Sequence, residues 1–327
     1  MDLLALGTPV IDSFAKADDK TLRVLKLKKG ATNHMDAKRL ATIERKFSGK
    51  IFYSYPGDNA RNVCEGVAAL GGFAGLAGAI APDKAGAEIA SNLSACGISN
   101  FLQEKKGSTG KILVLVTPDG QRTFCADLGV STHCSRLEKI AAWRSKMFYV
   151  TSITLCEKGE PIASIAQEYL HGFWKLGKKI AISLESPPMV KKNRAHLLKV
   201  IGKYADLLFM NEEEAEALLG ADFAKSLPKL KPKIPVFLKK GAKGSSVFLH
   251  GTEHRIPTYP AKGVDTTGAG DAYAAGVIYG LSRKYSVVGS AKIGSMLAAR
   301  VVENFGAGIP LAHARIKLKL KPKKIRV

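Results

Sequence analysis

The chain has 327 residues, a formal net charge of +22 and a hydrophobic content of 46%. This apolar fraction excludes a largely disordered chain, and the glycine and proline contents exclude a collagen-like or low-complexity protein. The length accommodates either one large α/β domain with an elaboration or two smaller domains.

The N-terminus and the longest uncharged segment carry no signal for export or for a membrane span. Residues 1–5 lack the basic leader of a secretion signal. The uncharged run over residues 66–82 is shorter than the about 20 strongly apolar residues of a spanning helix. It predicts the end of a helix followed by a buried strand. The five cysteines are irregularly spaced and lack a C-x-x-C pair, which favours reduced thiols and a cytoplasmic protein.

The first half of the chain predicts a small antiparallel sheet. Residues 112–125 place two apolar runs around the turn Asp119-Gly120, which is the pattern of a β-hairpin. The stretch from about residue 14 to residue 54, which precedes this hairpin, is irregular and basic. Together they predict a lid subdomain that spans approximately residues 14–55 and 105–130.

The second half predicts a doubly wound α/β domain. Strand-length apolar runs at 179–184, 206–210 and 234–238 alternate with helical stretches at 191–203 and 212–219. Continuous apolar runs are typical of parallel strands buried on both faces, and right-handed crossovers place helices on both sides of such a sheet. We therefore expect a mostly parallel sheet with helices on both faces.

The positive charge is spread along the chain and is densest at the C-terminus. Seven basic and no acidic residues lie within residues 315–327, a basic tail that predicts either an edge strand or a mobile segment. A basic surface attracts phosphates, anionic lipid or nucleic acid over long distances. A solvated, lysine-rich surface is the favoured interpretation, because no nucleic-acid-binding motif accompanies the charge. Polyanion binding stays the alternative.

The most informative segment is the glycine-rich turn that begins near residue 264. Gly268, Ala269 and Gly270 precede Asp271 and a long stretch of small residues that predicts a buried helix. The first amide groups of a helix lack intrahelical partners and carry the positive end of the helix dipole, so this turn can form an anion hole for a phosphate. Asp271 has two interpretations: a base that takes a proton from an attacking hydroxyl, or a cap of the helix.

Two other common phosphate-binding motifs are absent from the sequence. Gly110-Lys111 is followed by Ile112 rather than by Ser or Thr, which excludes a P-loop. The dinucleotide fingerprint would require glycine at the position of Tyr273. The turn therefore needs a different explanation.

Residues 265–271, Asp-Thr-Thr-Gly-Ala-Gly-Asp, resemble the C-terminal signature of the ribokinase-like (PfkB) family of sugar and nucleoside kinases. Further motifs follow the order of that family. Residues 7–12 resemble its first strand, 56–62 its Gly-Gly-x-x-x-Asn motif, 211–214 its Asn-x-x-Glu motif and 240–244 its later glycine turn. The resemblance covers nearly the whole chain and is greatest to the adenosine-kinase-like branch. It implies a ribokinase-like fold: a doubly wound, mostly parallel sheet with a small antiparallel β lid.

The resemblance assigns roles to residues in both halves of a kinase site. It implies that Asp271 is the base and that the amides of Gly268, Ala269 and Gly270 hold the transferring phosphoryl group. The residues implied to bind the acceptor are Asp12, Gly57, Asp58 and Asn62. The residues implied to bind the nucleotide are Asn211, Lys240, Gly241, Gly244 and Asp265, and the residue implied to organise the metal is Glu214.

Two of these assignments leave alternatives open. Asn211 and Glu214 also fit the capped, acidic N-terminus of a helix, and both interpretations can hold at once. Asp58 departs from the family pattern, because it replaces the second glycine of the Gly-Gly pair. A carboxylate there would shrink the pocket, add an acceptor for a hydroxyl or disable the usual substrate.

The activity implied by the resemblance is transfer of the γ-phosphate of ATP to a hydroxymethyl group, with Mg²⁺. A purine nucleoside such as adenosine is the first expected acceptor, and a ribose- or fructose-type sugar is the second. Several family members bind a monovalent cation near the position of Asp265, and members occur as monomers and homodimers. A different alternative is an altered member that binds nucleotides or polyanions without catalysis. No membrane partner is expected.

Overall fold

The computed structural model describes residues 1–135, 143–157, 159–230 and 234–309. Within these ranges the strands are β1 (Leu3–Leu6), β2 (Val10–Lys16), β3 (Thr32–His34), β4 (Ile51–Gly57), β5 (Ala74–Ile80), β6 (Ser99–Glu104), β7 (Thr109–Val116), β8 (Arg122–Gly129), β9 (Met147–Thr151), β10 (Lys179–Ser183), β11 (Leu207–Asn211), β12 (Val236–Lys239), β13 (Ser245–Leu249) and β14 (Thr252–Ile256). The helices are α1 (Asp19–Val24), α2 (Ala37–Lys46), α3 (Asn59–Ala69), α4 (Lys84–Ala95), α5 (Ser152–Cys156), α6 (Pro161–Lys175), α7 (Pro187–Lys192), α8 (Arg194–Tyr204), α9 (Glu212–Leu219), α10 (Phe223–Leu230), α11 (Ala269–Ser282) and α12 (Val287–Val301).

A mostly parallel sheet forms the centre of the molecule. Its strand order is β14-β13-β12-β11-β10-β9-β1-β5-β6, and all neighbours from β12 to β6 are parallel. The hairpin of β13 and β14 adds an antiparallel edge. Side chains of α6 and α8 pack on one face, and those of α3, α11 and α12 pack on the other. This arrangement confirms the doubly wound α/β fold.

Strand β1 lies where the direction of strand addition reverses. The chain places β5 and β6 on one side of β1 and β9 to β14 on the other. In open α/β sheets, ligands bind beyond the carboxyl ends of the strands near such a point. A site is therefore expected beyond the carboxyl ends of β1, β9 and the strands next to them.

The predicted strands of the second half and the helix at 212–219 are confirmed with shifts of one or two residues at their ends. The helix predicted at 191–203 is instead two helices, α7 and α8, interrupted at Asn193. The Asn193 side-chain amide donates to the carbonyl oxygen of Met189 at 3.0 Å. Such local bonds allow asparagine to compete with regular helical bonding. The helix end and buried strand predicted at 66–82 are confirmed as α3 and β5.

A second sheet has the order β3-β8-β7-β2-β4. The predicted hairpin is present as the antiparallel pair β7 and β8. The sheet as a whole is mixed rather than antiparallel, because the β2–β7 and β3–β8 pairs are parallel. Strand β2 follows β1 along the chain, and β7 follows β6. Because β1 and β6 both run parallel to β5, the chain leaves the large sheet in the same direction at both points. The stretch expected to be irregular contains helices whose Leu22 and Leu40 pack near Leu113 of β7.

The basic tail predicted at 315–327 lies outside the described residues. In the described part of the chain, no helix combines the length and apolar character that crossing a membrane requires.

A buried ion pair anchors α3. Arg61 is fully buried, and its Nη1 lies 3.0 Å from Glu65 Oε2. Its Nη2 donates to the hydroxyl of Tyr55 at 2.9 Å and to Oδ1 of Asn92 at 2.8 Å. One side chain thus joins β4, α3 and α4.

Arg61→Met should lower the free energy of unfolding by about 3–5 kcal/mol, because Glu65 would remain as a buried carboxylate without its cationic partner. Urea denaturation followed by circular dichroism measures this loss. Lys225→Met is the matched control, since Lys225 and Asp222 form an exposed pair at 3.5 Å that should contribute little. A loss for Arg61→Met as small as that of the control would contradict the anchoring role.

Candidate active site

A cavity of about 730 Å³ opens at the carboxyl ends of β10, β11 and β12. Its inner wall includes the charged residues Glu185, Glu214 and Lys239, which follow or end these strands, and the first turn of α11. Its outer part is lined by residues of the 258–263 loop and by small and apolar residues of α12. The cavity thus joins a charged end to a more apolar end.

The glycine turn leads into α11 at the charged end. Gly268 is the N-cap residue with a φ of 75°, and a Cβ there would lie 2.6 Å from Ala307. Both the left-handed backbone and this close approach require glycine. The amide of Gly270 lies in the first turn, where helical bonding leaves N–H groups unpaired. The amide of Ala269 already donates to the Thr266 carbonyl oxygen at 3.2 Å, so it closes the turn.

Asp271 is held by side chains of α3. Nδ2 of Asn62 donates to its Oδ2 at 2.9 Å, and Nδ2 of Asn59 donates to its Oδ1 at 3.2 Å. Gly268 is the N-cap residue of α11, and this helix has no side-chain capping bond. Burial, together with the negative charge of Glu185, raises the pKa of Asp271 to about 7 against the effect of the two amide donors. A carboxyl group with this pKa can exchange a proton near neutral pH.

Asn211 and Glu214 form the cap of α9. Oδ1 of Asn211 accepts from the Glu214 amide, and Oε2 of Glu214 accepts from the Asn211 amide, both at 2.8 Å. This capping box confirms the capped helix and leaves both residues on the cavity wall. Burial raises the pKa of Glu214 to about 7, with Glu185 adding to the shift and Lys239 opposing it.

The carboxylates of the cavity wall can accept a magnesium ion with most of its water shell. Among the residues that the structure describes, no three His, Cys, Asp or Glu side chains converge as a metal cluster. Mg²⁺ usually keeps several waters and binds one or two carboxylates. Glu214 and Glu185 on the wall fit this requirement.

Asp265 ties the glycine turn to the second sheet. Its Oδ1 accepts from the amide and hydroxyl of Thr267 at 2.9 and 2.8 Å, and its Oδ2 accepts from the Gly306 amide at 3.0 Å. Arg122 of β8 is its ion-pair partner. Burial alone would raise the pKa of Asp265, but the amide hydrogen bonds outweigh it and hold the pKa below its usual value. Asp265 does not line the cavity, although the adjacent Thr266 does.

Asp12 and Asp58 lie together where β2, β4 and α3 meet. Asp12 packs over Gly57, and a Cβ on that glycine would collide with the Asp12 carboxylate. Asp58 is the N-cap residue of α3, and its carboxylate accepts from the amides of Arg61 and Thr8 at 3.1 and 3.2 Å. Its φ of 121° is a strained value for any residue except glycine.

The two carboxyl groups of this pair influence each other. Burial and the negative charge of Asp58 raise the pKa of Asp12 to about 7. Burial raises the pKa of Asp58 to about 6, although its hydrogen bonds oppose the shift. The pair lies near Asp271 along α3, since Asn59 and Asn62 follow Asp58 by one and four residues.

The turn at 240–244 places two of its three predicted site residues on the cavity wall. Gly241 and Gly244 line the cavity, as expected for a turn that approaches a ligand. Lys240 does not, because its Nζ donates to Ser246 Oγ at 2.6 Å and pairs with Glu253 at 3.2 Å on the edge hairpin. Strand β12 extends one residue further than predicted, and it is Lys239 that lines the cavity.

Sequence reasoning misses several residues that the structure brings to this region: Asn59, Arg122, Glu185 and Lys239. Glu185 and Lys239 lie at the carboxyl ends of predicted parallel strands, which is a signal that could have found them. Asn59 and Arg122 carry no comparable signal, because their contacts depend on how distant segments pack.

Proteins similar to this chain in sequence or structure include adenosine kinases and a fructokinase. The structure of adenosine kinase from Sinorhizobium meliloti matches with a TM-score of 0.85 at 26% identity, covering 96% of this chain and 97% of that chain. Adenosine kinase of Saccharomyces cerevisiae is 25% identical over 94% of this chain and 96% of its own length. Fructokinase of Escherichia coli is 28% identical over 69% of this chain and 77% of its own length.

The family model for pfkB family carbohydrate kinases matches residues 27–314. The chain therefore belongs to the PfkB family. Membership implies a phosphotransferase that uses ATP, usually with Mg²⁺. The similar proteins include both nucleoside and sugar kinases, so similarity alone does not distinguish a nucleoside acceptor from a sugar acceptor.

Proposed function

We propose that this protein transfers the γ-phosphate of ATP to a hydroxymethyl group of a purine nucleoside such as adenosine. A ribose- or fructose-type sugar is the alternative acceptor. The observation that carries the proposal is the position of Asp271. Its carboxylate lies in the first turn of α11, on the cavity wall, and is oriented by Asn59 and Asn62. A proton acceptor and the positive end of a helix therefore lie within one helical turn.

This arrangement suits phosphoryl transfer, which needs alignment and charge stabilisation from the protein. Asp271 takes the proton of the acceptor hydroxyl. The hydroxyl oxygen forms the new bond to the γ-phosphorus while the bond from that phosphorus to the ADP oxygen breaks. The amides of Gly268 and Gly270 and the dipole of α11 stabilise the charge of the group in transit. Ala269 supports this turn through its bond to Thr266.

The remaining cavity residues suit a nucleotide. Gly241 and Gly244 allow the backbone to approach it closely, and Asn211 and Glu214 would hold Mg²⁺ or its waters at the charged end. When bound, Mg²⁺ neutralises charge on the phosphate oxygens. The more apolar end, beside α12, would receive the base.

The acceptor would bind between Asp271 and the second sheet. Asp12, Asp58 and Asn62 provide carboxylate and amide groups for its hydroxyls, and Gly57 allows the backbone to approach it closely. Phe14 follows Asp12 on the same face of β2, and its ring lies 5.7 Å from that of Tyr53 and 5.2 Å from that of Phe305. This aromatic group beside the carboxylates supports a planar, heterocyclic acceptor over a free sugar.

We also propose that the second sheet, approximately residues 14–55 and 105–130, acts as the lid. The ion pair of Arg122 with Asp265 connects it to the glycine turn. Closure of such a lid would exclude water from the transferring group and limit ATP hydrolysis.

The acceptor class can be tested with purified protein, ATP, Mg²⁺ and a panel of adenosine, other purine nucleosides, ribose and fructose. We expect the highest kcat/KM with adenosine or a related purine nucleoside. A preference for a free sugar would reject a nucleoside as the acceptor but would still support kinase activity. A folded sample that phosphorylates no member of the panel would contradict the proposed activity.

Asp271→Asn should reduce kcat by about 10²–10⁴-fold with little change in ATP binding, because it removes the base and keeps the shape of the side chain. Steady-state kinetics and calorimetry measure the two effects. Asp222→Asn, at an exposed residue that does not line the cavity, is the control.

The pH profile provides a second readout for the same residue. Because Asp271 must be ionised to accept a proton and its pKa is about 7, kcat/KM should rise with pH through neutrality and fall on acidification. Near-normal rates for the Asn variant would exclude Asp271 as the base.

Asp58→Gly tests the departure from the family motif. If Asp58 accepts a hydrogen bond from the acceptor, its removal should raise the acceptor KM by about tenfold and leave the ATP KM unchanged. Glycine also tolerates the φ of 121°, so loss of the fold is not expected. An unchanged or lower acceptor KM would show that Asp58 does not contribute to acceptor binding.

A further inference from the structure

Lys239 places a cation at the charged end of the cavity. It ends β12 and lines the cavity beside the first turn of α11. A Cβ built on Gly270 would lie 3.1 Å from its Nζ. Within the described residues the ammonium makes no hydrogen bond or ion pair. The adjacent Lys240, in contrast, is bonded to Ser246 and Glu253.

Two features of this position, taken alone, disfavour a cation. The N-terminus of a helix carries partial positive charge, and lysine is favoured at the opposite end. A half-buried ammonium without a partner also loses part of its hydration. Both costs disappear when a multiply charged anion lies between the ammonium and the helix amides.

The surrounding carboxylates keep this side chain charged. Burial tends to lower the pKa of Lys239, but Glu185, Glu214 and Asp271 outweigh it and hold the pKa above its usual value. These groups come from the loop after β10, from α9 and from α11. They are too distant to pair with the ammonium directly, so its hydrogen-bond donors remain available.

We propose that Lys239 is a catalytic residue whose ammonium binds an oxygen of the transferring phosphoryl group, opposite the amides of the glycine turn. The inference rests on the proposed kinase function. It gives this role to Lys239, whereas the resemblance implied Lys240 as the lysine beside the nucleotide. A second effect follows from its charge: Lys239 lowers the pKa of Asp271 and so favours the ionised base.

Lys239→Met, which keeps the length of the side chain and removes the charge, tests this role. Calorimetric titration with MgATP, without an acceptor, should show an affinity loss of about 10- to 100-fold, the effect of a charged hydrogen bond. Lys240→Met is the matched control and should bind MgATP like the wild type. Lys239→Gln is a second neutral variant in case the Met variant fails to fold, and Lys239→Arg should restore most of the affinity.

The pH dependence of turnover gives a readout that a purely structural role would not move. Without the ammonium, the pKa of Asp271 should rise, so the acid limb of kcat/KM should shift to higher pH in the two neutral variants and not in the Arg variant. A folded neutral variant that binds MgATP as tightly as the wild type and shows an unshifted acid limb would overturn the role of Lys239. That result would leave the proposed kinase function standing. Failure of the wild type to bind MgATP would overturn the proposed function as well.

Discussion

The contact between Asp271 and the two asparagines of α3 is the constraint on which the rest of the site depends. A carboxylate near the N-terminus of a helix is stabilised by the helix dipole, and here two side-chain amides fix its orientation. This contact requires α3 and α11 to pack closely. Gly66 allows that approach, because a Cβ there would lie 2.5 Å from the Cβ of Ala275.

The charges of the cavity follow from the topology of the sheet. Parallel strands end at one edge, so Glu185, Glu214 and Lys239 meet although they are far apart in sequence. Their common burial raises the pKa of Glu214 to about 7 and increases the interaction between neighbouring charges. Together with Asp271, the chain therefore places three carboxylates and one ammonium at the end of a cavity, where a magnesium ion and a polyphosphate can balance them.

The parts of the fold that could be predicted from sequence depend on local patterns. Continuous apolar runs predict β10, β11 and β12, and the Asp-Gly turn predicts the β7–β8 hairpin, because these signals lie within each segment. The parallel pairing of β2 with β7 could not be predicted in this way, since it depends on the direction in which the chain leaves the large sheet.

The same distinction applies to the site. The glycine turn, Asp271 and the Asn211–Glu214 cap belong to compact motifs and could be identified directly. The choice between Lys239 and Lys240 depends on where β12 ends, and a shift of one residue moves a side chain to the other face of a strand. Asn59 and Arg122 reach their partners across more than 100 residues of sequence, so no local pattern indicates them.

The central claim is that the turn at 268–270 holds the phosphoryl group while Asp271 receives the proton of the acceptor. A crystal structure with adenosine and a non-hydrolysable ATP analogue tests it most directly. We expect the terminal phosphate beside the amides of Gly268 and Gly270, and the acceptor hydroxyl within hydrogen-bond distance of Asp271. A triphosphate bound elsewhere, or an acceptor hydroxyl remote from that carboxylate, would contradict the claim.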